Sequence, residues 1–184
     1  MVPMNSDAVQ TFSALLALVA LAGGVVTFLS LAVKAAWAET WLATVRAYGV
    51  WAMCAITATA MVGSLYFSES VGYAPCKFCW YQRIAMYAIA IISFVAALRK
   101  DNGIARYTIV LAPLGLLVSV YHYLLEWGVF NQSSSCSVEV PCTTIWFREF
   151  GFITLCFMAG CAFIAVIAFS IALLRAPTNS SQED

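Results

Sequence analysis

Two pairs of cysteines are where this chain can do chemistry. Cys76 and Cys79 stand in Pro75-Cys76-Lys77-Phe78-Cys79-Trp80-Tyr81-Gln82-Arg83, and Cys136 and Cys142 in Cys136-Ser137-Val138-Glu139-Val140-Pro141-Cys142. The C-x-x-C spacing at the start of a helix sets one sulfur over free backbone N–H groups. The helix dipole then favours a thiolate, expected here at Cys79. Pro75 breaks any preceding helix and helps fix the turn. A thiolate is the species that attacks a disulfide or a quinone ring, and a lower pKa raises its fraction at neutral pH. The second pair lies in a Ser-rich loop that can bend back on itself, so its spacing permits an internal disulfide. A bridge over so short an exposed loop is expected to be reducible. Two alternatives stay open for these residues: a plain structural staple, and a four-cysteine zinc site built from both loops. Zinc ribbons usually show two C-x-x-C pairs, and the second pair here has a wider spacing.

Other residues could serve the same chemistry. Arg83 follows Cys79 by one helical turn on the same face. An arginine is costly in lipid and requires a partner. A quinone carbonyl gaining negative charge would suit the guanidinium, which would also hold the nearby thiolate ionised. Snorkelling to the headgroups is the alternative. His122, the one histidine, precedes Glu126 by four positions. The two could share a hydrogen bond and help deliver protons, or simply fix their helix at the interface. Cys54, Cys156 and Cys161 fall inside apolar runs and read as packing residues. Trp80, Tyr81, Tyr121, Tyr123, Trp127 and Trp146 read mostly as interface anchors.

The elements that must position these groups are membrane helices. The chain is 63% hydrophobic and 10% charged, against roughly 25% charged in a soluble domain. Its mean hydropathy is +0.89. Zero net charge gives no basic surface for nucleic acid. Runs free or nearly free of charge predict five spans: residues 8–33, 47–68, 78–98 with the single charge Arg83, 107–130 with Glu126 near its end, and 150–174. Each is near the ~20 residues needed to cross the hydrocarbon core, and backbone in lipid must bond internally, which makes the runs helices. The N-terminal run lacks a positive n-region and exceeds the ~7–15 apolar residues of a signal peptide, so it is expected to remain as a helix. Ala35–Tyr48, with Trp37, Trp41 and Tyr48, suits the membrane–water interface, and residues 1–45 are expected to hold the first helix and a cytoplasmic connection. Gly23-Gly24 is either a helix-packing point or mere tolerance. The polar tail 177–184 is expected to be disordered.

Lys34 and Arg46, then Arg99, Lys100 and Arg106, then Arg175, crowd three regions that should face the cytoplasm. The N-terminus and both cysteine loops fall on the opposite side. Two dithiols beside one face of a bilayer indicate a thiol–disulfide relay joined to a lipid-soluble electron carrier. The alternative is a small membrane scaffold or transporter subunit with structural loop disulfides. That reading lacks a charge pair at mid-membrane, because Arg83 and Glu126 both lie near one interface.

Around these residues the chain resembles the DsbB family of disulfide bond formation proteins, especially its short BdbC-like branch. The resemblance rests on Pro-Cys-x-x-Cys-Trp-Tyr-Gln-Arg at 75–83, Tyr-His-Tyr at 121–123 and Val140-Pro141-Cys142-Thr143 after Cys136. The charged turn 99–106 and Gly151-Phe152 also fit, and the likeness covers about residues 46–176. The vitamin K epoxide reductase type also combines a C-x-x-C with a second cysteine pair, but in the reverse order along the bundle. The DsbB resemblance implies an all-α membrane fold, a four-helix bundle over 46–176, here with one extra N-terminal transmembrane helix in 1–45. It implies a bacterial inner or plasma membrane location. It also implies a thiol oxidase that reoxidises an extracytoplasmic thioredoxin-fold, DsbA-like partner and passes electrons to menaquinone or ubiquinone. Carried over by position, Cys136 would form the mixed disulfide with the partner, and Cys142 would exchange with Cys76. Cys79 would be freed as the thiolate that meets the quinone, supported by Arg83. The extra helix and the short spacing of the second pair depart from the family's pattern.

Overall fold

The computed structural model describes residues 6–130, 136 and 140–175. Its helices are α1 (Ser6–Ala32), α2 (Ala36–Leu65), α3 (Lys77–Arg99), α4 (Ala105–Glu126) and α5 (Leu155–Leu174). All five regions are long and apolar enough to cross a membrane. Large apolar side chains such as Ile84, Ile91, Leu98, Leu114 and Leu117 point outward. An apolar exterior of this kind is matched to lipid, and the protein is a multi-pass membrane protein with an all-α bundle. Polar tail residues 177–184 lie outside the described residues.

Helix α5 is the axis of the bundle. It packs chiefly on α4 and α1, and also on α2 and α3. Its Gly160, Ala162, Ala165, Ala168 and Ala172 are buried, and small residues let neighbouring backbones approach closely where lipid supplies no hydrophobic drive. The two interfaces of α5 use this differently. On one side Gly24 of α1 lies against Ala165, where an added Cβ would come within 3.0 Å of the Ala165 Cα. Gly24 is thus a packing point, which resolves the Gly23-Gly24 pair. On the other side Gly115 of α4 receives the Phe163 ring, which is fully buried. The result is a four-helix bundle of α2–α5 with α1 laid along α5.

Three helix boundaries differ from expectation, each for a local reason. Helix α2 starts at Ala36, not at 47, so residues 36–48 are the first turns of that helix. Arg46 ends a charge-free run but does not end a helix: the stretch holds no proline, and Glu39 in the first turn suits the dipole. Trp41 of this extension donates from Nε1 to Thr27 Oγ1 at 3.0 Å, tying α2 to α1. Helix α4 stops at Glu126, before Gly128 with φ +69°. Helix α5 starts only after Phe150 and Gly151 take positive φ, and Thr154 caps it by accepting from the Phe157 N–H.

Alternation of the helices puts 71–76, 127–130, Cys136 and 140–154 at one end of the bundle. Helix α2 ends in a π turn, Tyr66–Ser70, which buries Phe67 against Tyr73 and Phe147. Tyr73 stacks on Trp146 with centroids 4.8 Å apart, so the two cysteine loops are clamped together by aromatic rings.

Gly115→Ala should test the α4–α5 seam. The added methyl meets a ring with no room to retreat, and overpacking of this kind costs about 1–3 kcal/mol. Reversible unfolding in detergent should show that loss; unchanged stability would mean Phe163 is not locked there.

Candidate active site

The site forms where the starts of α3 and α5, the end of α4 and the loop 140–154 meet. Pro75 keeps the preceding chain extended, and Cys76 takes the N-cap position of α3. Its sulfur accepts the Cys79 backbone N–H at 3.4 Å. The sulfur seated over the helix terminus is therefore that of Cys76, whereas the sequence suggested Cys79. The C-x-x-C turn places the first cysteine outside the helix, where it can cap, and the second inside it.

Cys76 and Cys79 form a dithiol with sulfurs 3.2 Å apart, within hydrogen-bond distance of each other. This hydrogen bond is the main reason the Cys76 thiol is pulled down to about 4. Burial opposes the shift, and the hydrogen bond and charge of His122 add to it. Cys136 and Cys142 are joined in a disulfide with Cα atoms 5.8 Å apart. Cys76, Leu125, Cys136 and Cys142 make one buried cluster with Phe78, Cys79 and Val140 packed around it. The short second loop thus brings its disulfide directly onto the first pair. Cys136 and Cys142 are bonded to each other here rather than offered as thiolates. The closest soft-donor group is Cys76, Cys79 and His122, whose ligand atoms lie within 4.8 Å of one another.

His122 is the junction of the site and is 2% exposed. Its Nε2 lies 3.0 Å from the Cys142 carbonyl oxygen and 3.5 Å from the Cys76 sulfur. A carbonyl only accepts, so the proton sits on Nε2. Nδ1 lies 3.0 Å from Gln82 Nε2 and 3.0 Å from the Cys156 sulfur. His122 and Glu126 do not meet directly as expected from their spacing. Cys156 stands between them, its thiol donating to Glu126 Oε1 at 3.2 Å, while Thr154 donates to Oε2 at 2.6 Å.

Cys156 and Gln82 are site residues that sequence reasoning missed. Cys156 was expected only to pack, yet it touches the imidazole. Its signal was position: it opens α5 at the membrane end that holds both cysteine pairs. Gln82 was visible inside the Cys-Trp-Tyr-Gln-Arg run but had no assigned partner. Cys54 is buried in the apolar core, as expected, and Cys161 is buried as well.

Arg83 points away from this cluster. Its Nε donates to Ser64 Oγ and one terminal nitrogen to the Ser64 carbonyl, both at 2.9 Å, and its guanidinium lies 5.2 Å from the Trp80 ring centroid. Arg83, Cys79, Gln82 and Ser64 share the polar end of a cavity of about 470 Å³ between α1, α2, α3 and α5. That volume suits a small-molecule site, commonly ~300–1,000 Å³. The remaining walls are mostly apolar, among them Ile56, Ala60, Phe67, Met86 and Phe169. Such a cavity, with an arginine and a thiol among mostly apolar walls, suits a molecule that has both a polar and an apolar part.

A buried dithiol packed against a second, bonded cysteine pair at one end of a membrane bundle defines a membrane thiol–disulfide oxidoreductase. The family model described as "Disulfide bond formation protein DsbB" matches residues 46–174, and the chain belongs to that family. It is 44% identical over 118 residues to a "Probable disulfide formation protein" of Oceanobacillus iheyensis, covering 63% of this chain and 81% of the relative. It is 41% identical over 128 residues to "Disulfide bond formation protein C" of Bacillus subtilis, covering 68% and 90%. With a "Probable disulfide formation protein C" of Halalkalibacterium halodurans it shares 40% identity over 119 residues, covering 64% and 86%. No solved structure matches the chain. All of α1 precedes the family-matched segment, as does the first part of α2.

The low Cys76 pKa gives a test with a definite sign. Above about pH 4 the reduced protein should hold a thiolate that protonates as pH falls through that value. The thiolate ultraviolet absorbance, taken as the difference from Cys76→Ser, should persist at neutral pH and disappear only in acid. Cys79→Ala should move the titration up, and His122→Ala should do so by less. A thiolate that appears only in mild alkali would contradict the arrangement.

Proposed function

We propose that the two pairs carry electrons from an extracytoplasmic thioredoxin-fold dithiol, of the DsbA-like kind, to a membrane quinone, menaquinone or ubiquinone. The observation that carries this reading is the division of the first pair. Cys76 faces the Cys136–Cys142 disulfide, and Cys79 faces the apolar cavity with Arg83. The cysteine end would lie outside the cytoplasm, since Lys34, Arg99, Lys100, Arg106 and Arg175 collect at the other end. The N-terminus would also lie outside. Residues 46–176 would form the oxidase unit, and 1–45 an added helix and connection.

The exchange balances as follows. A partner thiolate attacks Cys136, forming a mixed disulfide and expelling the Cys142 thiolate. Cys142 attacks Cys76 of the oxidised first pair, which forms the bond between loops and releases Cys79 as the thiolate. The partner's second thiol displaces Cys136 and leaves as its own disulfide. Cys136 then attacks Cys142, restoring the second disulfide and expelling the Cys76 thiolate. Two electrons now reside on Cys76 and Cys79, and the partner is oxidised. A thiol of low pKa is a good leaving group, so the environment of Cys76 favours this last step. His122 keeps its Nε2–H on the Cys142 carbonyl and beside Cys76, which holds the two exchanging residues in register. Its other nitrogen, with Cys156 and Glu126, offers a route for the proton that accompanies each thiol oxidation. Bound quinone would accept two electrons and two protons, returning the Cys76–Cys79 disulfide. Arg83, braced by Ser64, would stabilise negative charge at a ring carbonyl.

Quinone reduction by purified protein, with a reduced thioredoxin-fold donor, tests the reading by absorbance. Turnover should vanish in Cys79→Ser. Arg83→Ala should raise the quinone KM about ten- to hundredfold, the weight of a charged hydrogen bond, while the KM for the donor stays unchanged. Lack of turnover with both quinone types, in a protein whose loop cysteines stay inert to reductant, would favour a structural role for the disulfides.

A further inference from the structure

Helix α1 lies wholly outside the family-matched residues, yet it builds one wall of the cavity that Cys79 also lines. Leu16, Ala17, Ala20 and Gly23 line it from α1. The helix is held in place by specific bonds. Gln10 donates to the Tyr73 hydroxyl at 2.9 Å, Thr11 donates to Glu149 at 3.2 Å, and Trp41 reaches Thr27. Two adjacent glycines divide the work. Gly24 lies against the Ala165 backbone and sets how closely α1 docks on α5. Gly23 faces the void: a Cβ added there would meet nothing nearer than the Phe169 ring at 3.8 Å. At the rim Val19 is 68% exposed, so the cavity communicates with the lipid-facing surface.

We infer that α1 is a tail-binding wall: it holds the apolar chain of the lipid-soluble acceptor whose ring lies between Cys79 and Arg83. The inference rests on the quinone reading above. The lining supports it, because Ser64, Gln82 and Arg83 join Cys79 in the cavity wall, while α1 contributes Leu16, Ala17, Val19, Ala20 and Gly23, with Ser13 its one polar group there. A tail leaving the ring end has a path past Ala20 and Gly23 to Val19 and the lipid. Without α1 that side of the cavity would be open to lipid, and ring binding would depend on α2, α3 and α5 alone. Specificity for the tail therefore resides in this added helix, and specificity for the ring in the family-matched bundle.

Equilibrium binding separates the two claims. The full chain, with its first pair oxidised so that no turnover occurs, would be titrated with tail-less and prenylated forms of both naphthoquinone and benzoquinone. Quenching of tryptophan fluorescence reports binding. Ala20→Phe, which fills the α1 side, should weaken the prenylated ligand about tenfold or more and the tail-less ligand by less than about twofold, the expected imprint of lost apolar contact. Leu15→Phe, on the outward side of α1, should change neither. A second test needs no variant: a quinone with a diazirine in its tail should label the fragment containing residues 8–33 of the wild-type chain. Equal binding of the prenylated ligand by Ala20→Phe and wild type, or label confined to α2–α5, would overturn the role of α1. Binding of no quinone at all by the wild type would remove the quinone reading itself, and this inference with it.

Discussion

A buried imidazole in a membrane bundle has to satisfy both of its nitrogens within the protein, and the geometry of this site follows from how His122 does so. Leaving such a group unpaired costs about 1–3 kcal/mol. Nε2 binds the Cys142 carbonyl and Nδ1 meets Gln82 and Cys156. Those contacts come from the loop after α4, from α3 and from α5. One side chain on α4 therefore sets the relative positions of every segment that carries a redox cysteine. The Tyr73–Trp146 stack reinforces the same join from the loop side. Once the loops are held this way, the disulfide of the second pair has one place to sit, against Cys76.

The N-cap position of Cys76 gives the two thiols of the first pair different surroundings. Cys76 is buried on the polar side, touching His122 and the second pair, while Cys79 lines the apolar cavity. One turn of helix thus separates an environment suited to exchange between sulfurs from one suited to a lipid-soluble molecule. The Arg83 charge, costly at such a place, is compensated by Ser64 and Trp80 rather than by an acid. Glu126 belongs to the other side of the divide, bonded to Thr154 and Cys156.

The bundle that carries this end is held by close approach of small residues on α5. Phe163 fills the space that Gly115 leaves, and Ala165 takes the contact of Gly24. Where α1 leans on α5 through small residues, it cannot also press against α3, and the cavity remains between them. The void is thus a geometric consequence of how the added helix docks.

Much of this was legible in the residues themselves. Hydrophobic runs of membrane-spanning length must be helical in lipid, whatever their neighbours, so the number of spans and the all-α class followed from Leu, Ala, Val and Phe content alone. The C-x-x-C pair and the short Cys136–Cys142 spacing likewise announced sulfur chemistry at helix ends, because both depend on local backbone geometry. What the chain could not announce was set by contacts between segments far apart in sequence. Helix α2 runs through Arg46 because docking on α1 supports its first turns, through Trp41 and Thr27. Which sulfur caps α3, and that Cys156 stands between His122 and Glu126, depend on how α3, α4 and α5 meet. Hydropathy and spacing are properties of one segment at a time. The partners of a buried imidazole, a thiol or a guanidinium are properties of several segments together, and only the packed bundle decides them.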